Sequence, residues 1–144
     1  MADNNGLLMS SFFYKNNELY CDGVSLAKLA KEVGTPCFVY SESDLKKNCQ
    51  EFKQAFDEVK IKTHLRYAVK ASSNLAILQA IFREGYGADV VSQGEIMRSL
   101  KAELEAKNIV FSGVGKTANE IKYALDVGIG LFNVESFAEL KKLL

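Results

Sequence analysis

The sequence predicts an α/β fold made of successive strand–helix units. In the second half of the chain, short apolar runs typical of buried strands recur every 21–23 residues, beginning at Leu65, Ala88, Ile109 and Leu131. Each run is followed by a helical stripe whose apolar residues recur at three- and four-residue spacing. Strands that alternate with helices pair in parallel. We therefore expect about four βα units whose strands lie in sequential order along an arc of a βα barrel.

The first 40 residues have a different pattern and predict a separate N-terminal segment. Between Ser11 and Cys21, two apolar stretches flank a polar centre, which is typical of a short hairpin. A helix is expected over 25–33, because Gly34 can close it. Residues 36–40 predict a short strand that Pro36 can begin but not interrupt. We expect this segment, 1–40, to precede a barrel segment, 41–144.

Helix boundaries in the barrel segment are marked by small polar residues and by glycines. Ser41 or Ser43 is a candidate N-cap for the long helix that follows, and Asn74 for the helix after the first barrel strand. Gly85 and Gly128 follow the first and third barrel helices, where a left-handed residue can end a helix.

Composition narrows the function classes. The chain has 144 residues, is 48% hydrophobic and has 18 basic and 18 acidic residues, so its net charge is zero. Without a basic patch, nucleic acid is not an expected partner. No apolar run approaches the roughly 20 residues of a membrane span, and the N-terminus lacks a signal-peptide core. The three cysteines lack CxxC spacing, which favours reduced thiols and a cytoplasmic location.

Two motif classes are excluded by the residues that would carry them. Gly115-Lys116-Thr117 resembles the end of a phosphate-binding loop, but that motif needs a glycine at the position of Val110. His64 is the only histidine, so neither a histidine-based triad nor a multi-histidine metal site can form, and we expect no metal.

Lys70 is the most informative candidate. It lies at the end of the first apolar run and just before Asn74. Alternation along a strand places Ala68 and Lys70 on the inner face, opposite Tyr67 and Val69. Lys70 is the last inward residue at the carboxyl end, where βα barrels hold their active sites. Taken alone, a lysine at a strand end is more often simply solvated.

The run from Arg66 to Asn74 resembles the cofactor-lysine motif Tyr-Ala-Val-Lys-Ala-Asn of the fold type III, or alanine racemase-like, pyridoxal-phosphate decarboxylases. Four further segments resemble that family, and in particular its diaminopimelate decarboxylases: 35–40, 87–95, 111–121 and 133–140. Two departures are Ser72, where Asn is commoner, and Gln93, where Gly is common. The resemblance covers nearly the whole chain.

The resemblance implies a site and a reaction. Lys70 would hold pyridoxal 5′-phosphate covalently, Ala68 would leave room for its flat ring, and Asp89 and Glu95 would be nearby carboxylates. Without the resemblance, Asp89 is better explained as a turn or cap residue and Glu95 as an acid favoured at a helix N-terminus. The implied enzyme decarboxylates an amino acid, meso-2,6-diaminopimelate, to L-lysine and acts as a homodimer.

The same resemblance implies that more than this chain is needed. A closed barrel takes about 250 residues, so four units are the N-terminal half of a TIM (βα)8 barrel, and the hairpin would join a C-terminal β domain. We therefore expect the chain to be truncated, inactive alone and prone to associate. The open alternatives are a decarboxylase acting on ornithine, arginine or carboxynorspermidine, a racemase or cofactor carrier, and a non-catalytic half-barrel scaffold.

Overall fold

The computed structural model describes residues 11–144, which belong to two compact units divided between Asn48 and Cys49. The first unit contains an antiparallel sheet, and the second contains the parallel sheet with its helices. Within the described range no helix is long and apolar enough to cross a membrane.

The first unit opens with the expected hairpin. Its sheet has the order β1-β2-β3, from the strands β1 (Phe12–Lys15), β2 (Glu18–Cys21) and β3 (Val24–Ser25). Asn16 and Asn17 turn the chain between β1 and β2 with φ of 51° and 61°, a left-handed conformation that asparagine tolerates. The hairpin prediction is confirmed, whereas the short third strand was not expected.

Two helices follow, separated by a segment for which the sequence prediction was wrong. Helix α1 (Leu26–Val33) is capped by Ser25, whose side chain accepts a hydrogen bond from the Lys28 amide at 3.2 Å. The strand predicted over 36–40 is irregular chain, because no strand among the described residues lies beside it. Helix α2 (Glu42–Glu58) begins after Ser41, whose hydroxyl accepts from the Asp44 amide at 2.9 Å.

The parallel sheet of the second unit has the expected sequential order. Its neighbouring strands are β4 (Arg66–Ala68), β5 (Gly87–Val90), β6 (Ile109–Phe111) and β7 (Leu131–Phe132). All three pairings are parallel. A doubly wound sheet would reverse its strand order, so the sequential order agrees with an arc of a barrel.

Helices follow each strand of this sheet, and each begins at a polar cap. They are α3 (Leu75–Arg83), α4 (Gln93–Lys101), α5 (Ala118–Asp126) and α6 (Phe137–Leu143). Their N-terminal amides are bonded by the side chains of Asn74, Ser92, Thr117 and Ser136 respectively. Gly85 and Gly128, with φ of 86° and 74°, follow α3 and α5 as predicted.

The core of the second unit is formed by side chains of the strands, of the helices that follow them and of the turn after β4. The fully buried residues include Val69, Leu78, Val90, Ile96 and Phe111. Burying a side chain of this size stabilises the fold by about 1.5–3 kcal/mol. Because these residues flank the carboxyl ends of the strands, they fix the edge of the sheet at which the polar side chains gather.

Candidate active site at the carboxyl edge of the parallel sheet

The polar side chains predicted from sequence meet at the carboxyl edge of the four-stranded sheet. In the register of β4 and β5, Ala68 lies opposite Asp89. Ser112 comes directly after β6, and Asn133 directly after β7. Parallel strands present their carboxyl ends at one edge, and in βα barrels this edge carries the active site.

Lys70 lies beyond the strand on which it was predicted. Strand β4 ends at Ala68, and Val69–Ala71 form a single turn of 3-10 helix. Val69 is fully buried in the core, while Lys70 is exposed. Among residues 11–144, the Lys70 amine has no hydrogen bond or salt bridge. Burial of one residue of the turn therefore anchors the next, and the amine stays available.

The chain on either side of Lys70 is held by hydrogen bonds. The Tyr67 hydroxyl donates to the Ser72 carbonyl at 3.4 Å. Arg98 on α4 donates to the Ser73 carbonyl at 3.2 Å, and Asn74 caps α3 through the Ala76 amide at 2.9 Å. Three side chains thus fix a turn whose lysine is itself unpaired within the described chain.

Asp89 ends a chain of hydrogen bonds that crosses three strands. The Ser112 hydroxyl donates to Asp89 Oδ1, and the Asn133 amide nitrogen donates to Ser112 Oγ at 2.9 Å. Asp89 is half-buried on β5. Its carboxylate is therefore oriented by the residues that follow β6 and β7, and the simpler interpretation of Asp89 as a turn residue is wrong.

Glu95 lies in the first turn of α4, just beyond β5. Its Oε2 accepts a hydrogen bond from the Val91 amide at 2.8 Å, and Ser92 Oγ accepts from the Glu95 amide at 3.3 Å. Gly113 packs closely on Val91, since a Cβ added there would lie 2.4 Å from the Val91 carbonyl oxygen. The helix-N-terminus explanation of Glu95 therefore accounts for its contacts.

The structure places Lys70, Ala68 and Asp89 on neighbouring elements, β4, the turn after it and β5. Ala68 and Asp89 are paired, and the turn that carries Lys70 contacts β5. Glu95 follows β5 at the same edge. No hydrogen bond or salt bridge within residues 11–144 joins Lys70 to Asp89 or Glu95.

Lys116 is a polar residue of this edge whose role the sequence analysis missed. Its side chain is fully buried and forms a salt bridge with Glu139 at 2.6 Å. It also donates to the Asn133 carbonyl at 2.7 Å and lies 5.2 Å from the centre of the Phe111 ring. No local pattern could have paired residues so far apart, whereas Ser112 and Asn133 lie near the carboxyl ends of the third and fourth predicted strands, where they could have been found.

The histidine and the possibility of a metal site, both considered from sequence, do not add to this edge. His64 is exposed and precedes β4, at the opposite edge of the sheet. Across residues 11–144 no group of three histidine, cysteine or carboxylate side chains could hold a metal ion. Lys70, Ala68, Asp89 and Glu95 therefore stay the predicted site residues at this edge.

Comparison with known proteins identifies the family. Residues 42–144 match the profile of the pyridoxal-dependent decarboxylase family, in its pyridoxal binding domain. The chain belongs to this family. The matched segment contains α2, the parallel sheet and all four helices that follow its strands.

Similar proteins agree with this assignment. Diaminopimelate decarboxylases of Zymomonas mobilis and Pseudomonas aeruginosa are 47% and 42% identical over 136 residues, 94% of this chain. The crystal structure of diaminopimelate decarboxylase from M. jannaschii in complex with L-lysine has a TM-score of 0.86 at 36% identity, over 92% of this chain and 32% of that one. The chain thus spans about a third of the length of the relatives it matches.

Proposed function

We propose that this chain forms the N-terminal part of a pyridoxal-phosphate-dependent decarboxylase that converts meso-2,6-diaminopimelate to L-lysine and carbon dioxide. The observation that carries this proposal is 47% identity over 136 residues to a diaminopimelate decarboxylase. A lysine/ornithine decarboxylase structure from Vibrio vulnificus is only 20% identical and supports the fold alone. The comparison therefore favours diaminopimelate over the alternative amino-acid substrates.

The residues at the carboxyl edge fit pyridoxal 5′-phosphate. Lys70 presents an exposed amine without a partner in the described chain, which is what covalent attachment to an aldehyde requires. Ala68, opposite Asp89 in the register, is small and adds no bulk next to the turn that carries Lys70. Lys70, Ala68, Asp89 and Glu95 are the residues that we propose hold the cofactor.

Each of these residues has a proposed task. Bound pyridoxal phosphate supplies an electron sink for the electron pair left when the α-carboxylate departs. Lys70 Nζ holds the cofactor and, once released from it, can carry a proton. Asp89 provides a negative charge, and the hydrogen bond from Ser112 fixes the orientation of its carboxylate. Glu95 keeps the loop after β5 in place through the Val91 amide.

The proposal includes an assembly that this chain does not complete alone. The relatives are about three times as long as the matched segment, so we propose that the other half of the barrel and a C-terminal β domain complete the site in a homodimer. Cys21, Cys37 and Cys49 are free thiols, which supports a reducing, cytoplasmic location. The domain boundary near residue 41 is supported by the family match, which begins at residue 42.

The direct test is a decarboxylation assay. The full-length protein, supplied with pyridoxal phosphate, is expected to release carbon dioxide and L-lysine from meso-diaminopimelate. Ornithine and arginine are expected to react far more slowly, and residues 1–144 alone are expected to be inactive. Preferential turnover of ornithine or arginine, or activity in the isolated segment, would contradict the proposal.

A further inference from the structure

A buried ion pair lies beyond the third strand of the parallel sheet. The side chains of Lys116 and Glu139 are 0% and 6% exposed, with 2.6 Å between Nζ and Oε1. Removing two charges from water is costly unless further hydrogen bonds satisfy them. Lys116 makes one such bond, to the Asn133 carbonyl at 2.7 Å. Lys116 therefore bonds both Glu139 and the backbone that follows β7.

Asn133 connects this pair to the candidate active site. It receives a hydrogen bond at its backbone carbonyl and donates one from its side-chain amide to Ser112 Oγ at 2.9 Å. The Asn133 amide nitrogen can only donate, so Ser112 Oγ accepts that bond and donates its own proton to Asp89. An ionised carboxylate can only accept, so the direction from Asn133 through Ser112 to Asp89 is fixed, while Lys116 separately holds the Asn133 backbone.

Asn133 needs this support because burial does not hold it. The residue is exposed, and it lies between β7 and α6. Glu139 belongs to α6, and Lys142 of the same helix donates to the Lys116 carbonyl at 3.2 Å. Two residues of α6 thus contact Lys116, and Lys116 in turn bonds the Asn133 carbonyl, so a shift of α6 would move Asn133.

We propose that Lys116 is a positioning residue for the cofactor site, acting through Asn133 and Ser112 on the orientation of the Asp89 carboxylate. The inference rests on the proposed function, in which Asp89 lines the pyridoxal-phosphate site. Lys116 itself is buried and does not touch the cofactor in this proposal.

The test removes the ion pair without leaving an unpaired charge. In the full-length protein, Lys116→Met with Glu139→Leu replaces both charges by apolar groups, an exchange that buried ion pairs often tolerate. The matched control is Lys122→Met with Asp126→Leu, which removes an exposed pair on α5 whose Nζ–Oδ2 distance is 2.8 Å.

Two readouts separate positioning from folding. In the cofactor-free protein, the ¹³C chemical shift of the Asp89 carboxyl carbon is expected to move in the same direction as in Ser112→Ala. In the loaded protein, pyridoxal phosphate is expected to dissociate about tenfold faster, the effect of one hydrogen bond to a charged group. The control variant is expected to match the wild type in both.

Asn133→Ala keeps the proposal falsifiable if the double variant does not fold, because the exposed Asn133 side chain carries the link from the Lys116-held backbone to Ser112. It is expected to move the Asp89 signal as Ser112→Ala does, with no further change when the two are combined. An unchanged Asp89 signal in Asn133→Ala, or in a folded double variant, would overturn the proposal. A wild-type protein that binds no pyridoxal phosphate would refute the proposed function, while the cofactor-free Asp89 signal would still decide the positioning role.

Discussion

The ends of the first and third strands of the parallel sheet each carry a lysine, and the two lysines have opposite environments. Lys70 lies two residues beyond β4, exposed and unpaired within the described chain. Lys116 lies five residues beyond β6, fully buried against Glu139, the Asn133 carbonyl and the Phe111 ring. One amine is available for chemistry, whereas the other is committed to structure.

The difference shows that a lysine's role is decided by its partners rather than by the motif that contains it. Lys116 lies in a Gly-Lys-Thr run that resembles a nucleotide-binding loop, yet its buried ammonium donates to Glu139 and to the Asn133 carbonyl. Lys70 lies in a turn anchored by the buried Val69, so its position is fixed while its amine is exposed. The comparison can be tested by changing each lysine separately.

The largest effect is expected from Lys70→Ala. The full-length variant should lose the visible absorbance of lysine-bound pyridoxal phosphate and its decarboxylase activity, because no other described lysine lies at the same place on this edge. Lys62→Ala, an exposed lysine that precedes β4, is the control and should keep both. Retained absorbance and turnover in the Lys70 variant would remove the basis of the comparison.

Lys116→Met should instead act on stability. It leaves the Glu139 carboxylate buried without its partner, which costs about 3–5 kcal/mol. Urea unfolding of the full-length protein measures this loss, and adding Glu139→Leu should recover most of it. If Lys116→Met were as stable as the wild type, Lys116 would not have the structural role that this comparison with Lys70 assigns to it.

The smallest effect concerns an acid at the start of α5. Thr117 donates its amide and its hydroxyl to Glu120, and these bonds hold the pKa of Glu120 below its usual value. A lowered pKa in the folded state stabilises the protein above the pKa of the unfolded chain, and this stability is lost as pH falls through the folded pKa. Glu120→Gln should therefore cost about 0.3–1 kcal/mol at pH 7.

The pH dependence of this cost is the check. Urea unfolding of wild type and Glu120→Gln should differ at pH 7 and converge in acid below the folded pKa, because the carboxyl group is then neutral in both states. A difference that persists unchanged in acid would show that the charge of Glu120 contributes nothing to stability.

Much of this architecture could be predicted because local signals encode it. The period of the apolar runs indicated all four parallel strands and their order, and small polar residues marked the helix starts at Ser41 and Asn74. The strand predicted over 36–40 was wrong for a physical reason. Pro36–Tyr40 has the composition of a strand, but pairing is a non-local property, and no described strand lies beside it.

The site was predictable to the same extent. Lys70 is predictable because it ends an apolar run, whereas Asp89, inside β5, is indicated only by the resemblance of residues 87–95 to the family. Ser112 and Asn133 directly follow β6 and β7 and were not singled out. The Lys116–Glu139 pair could not be found, since it depends on how α6 packs after β7. The 3-10 turn at Lys70 was missed because alternation continues the strand in sequence, while burial of Val69 ends it in the structure.

The central claim is that Lys70, and not Lys116, binds the cofactor. Borohydride treatment of the full-length protein loaded with pyridoxal phosphate fixes the cofactor to the lysine that holds it, and mass spectrometry of the digested protein locates that lysine. The account predicts one labelled peptide, containing Lys70, and an unlabelled Lys116. A label on Lys116 or on any other lysine, with Lys70 unmodified, would contradict it.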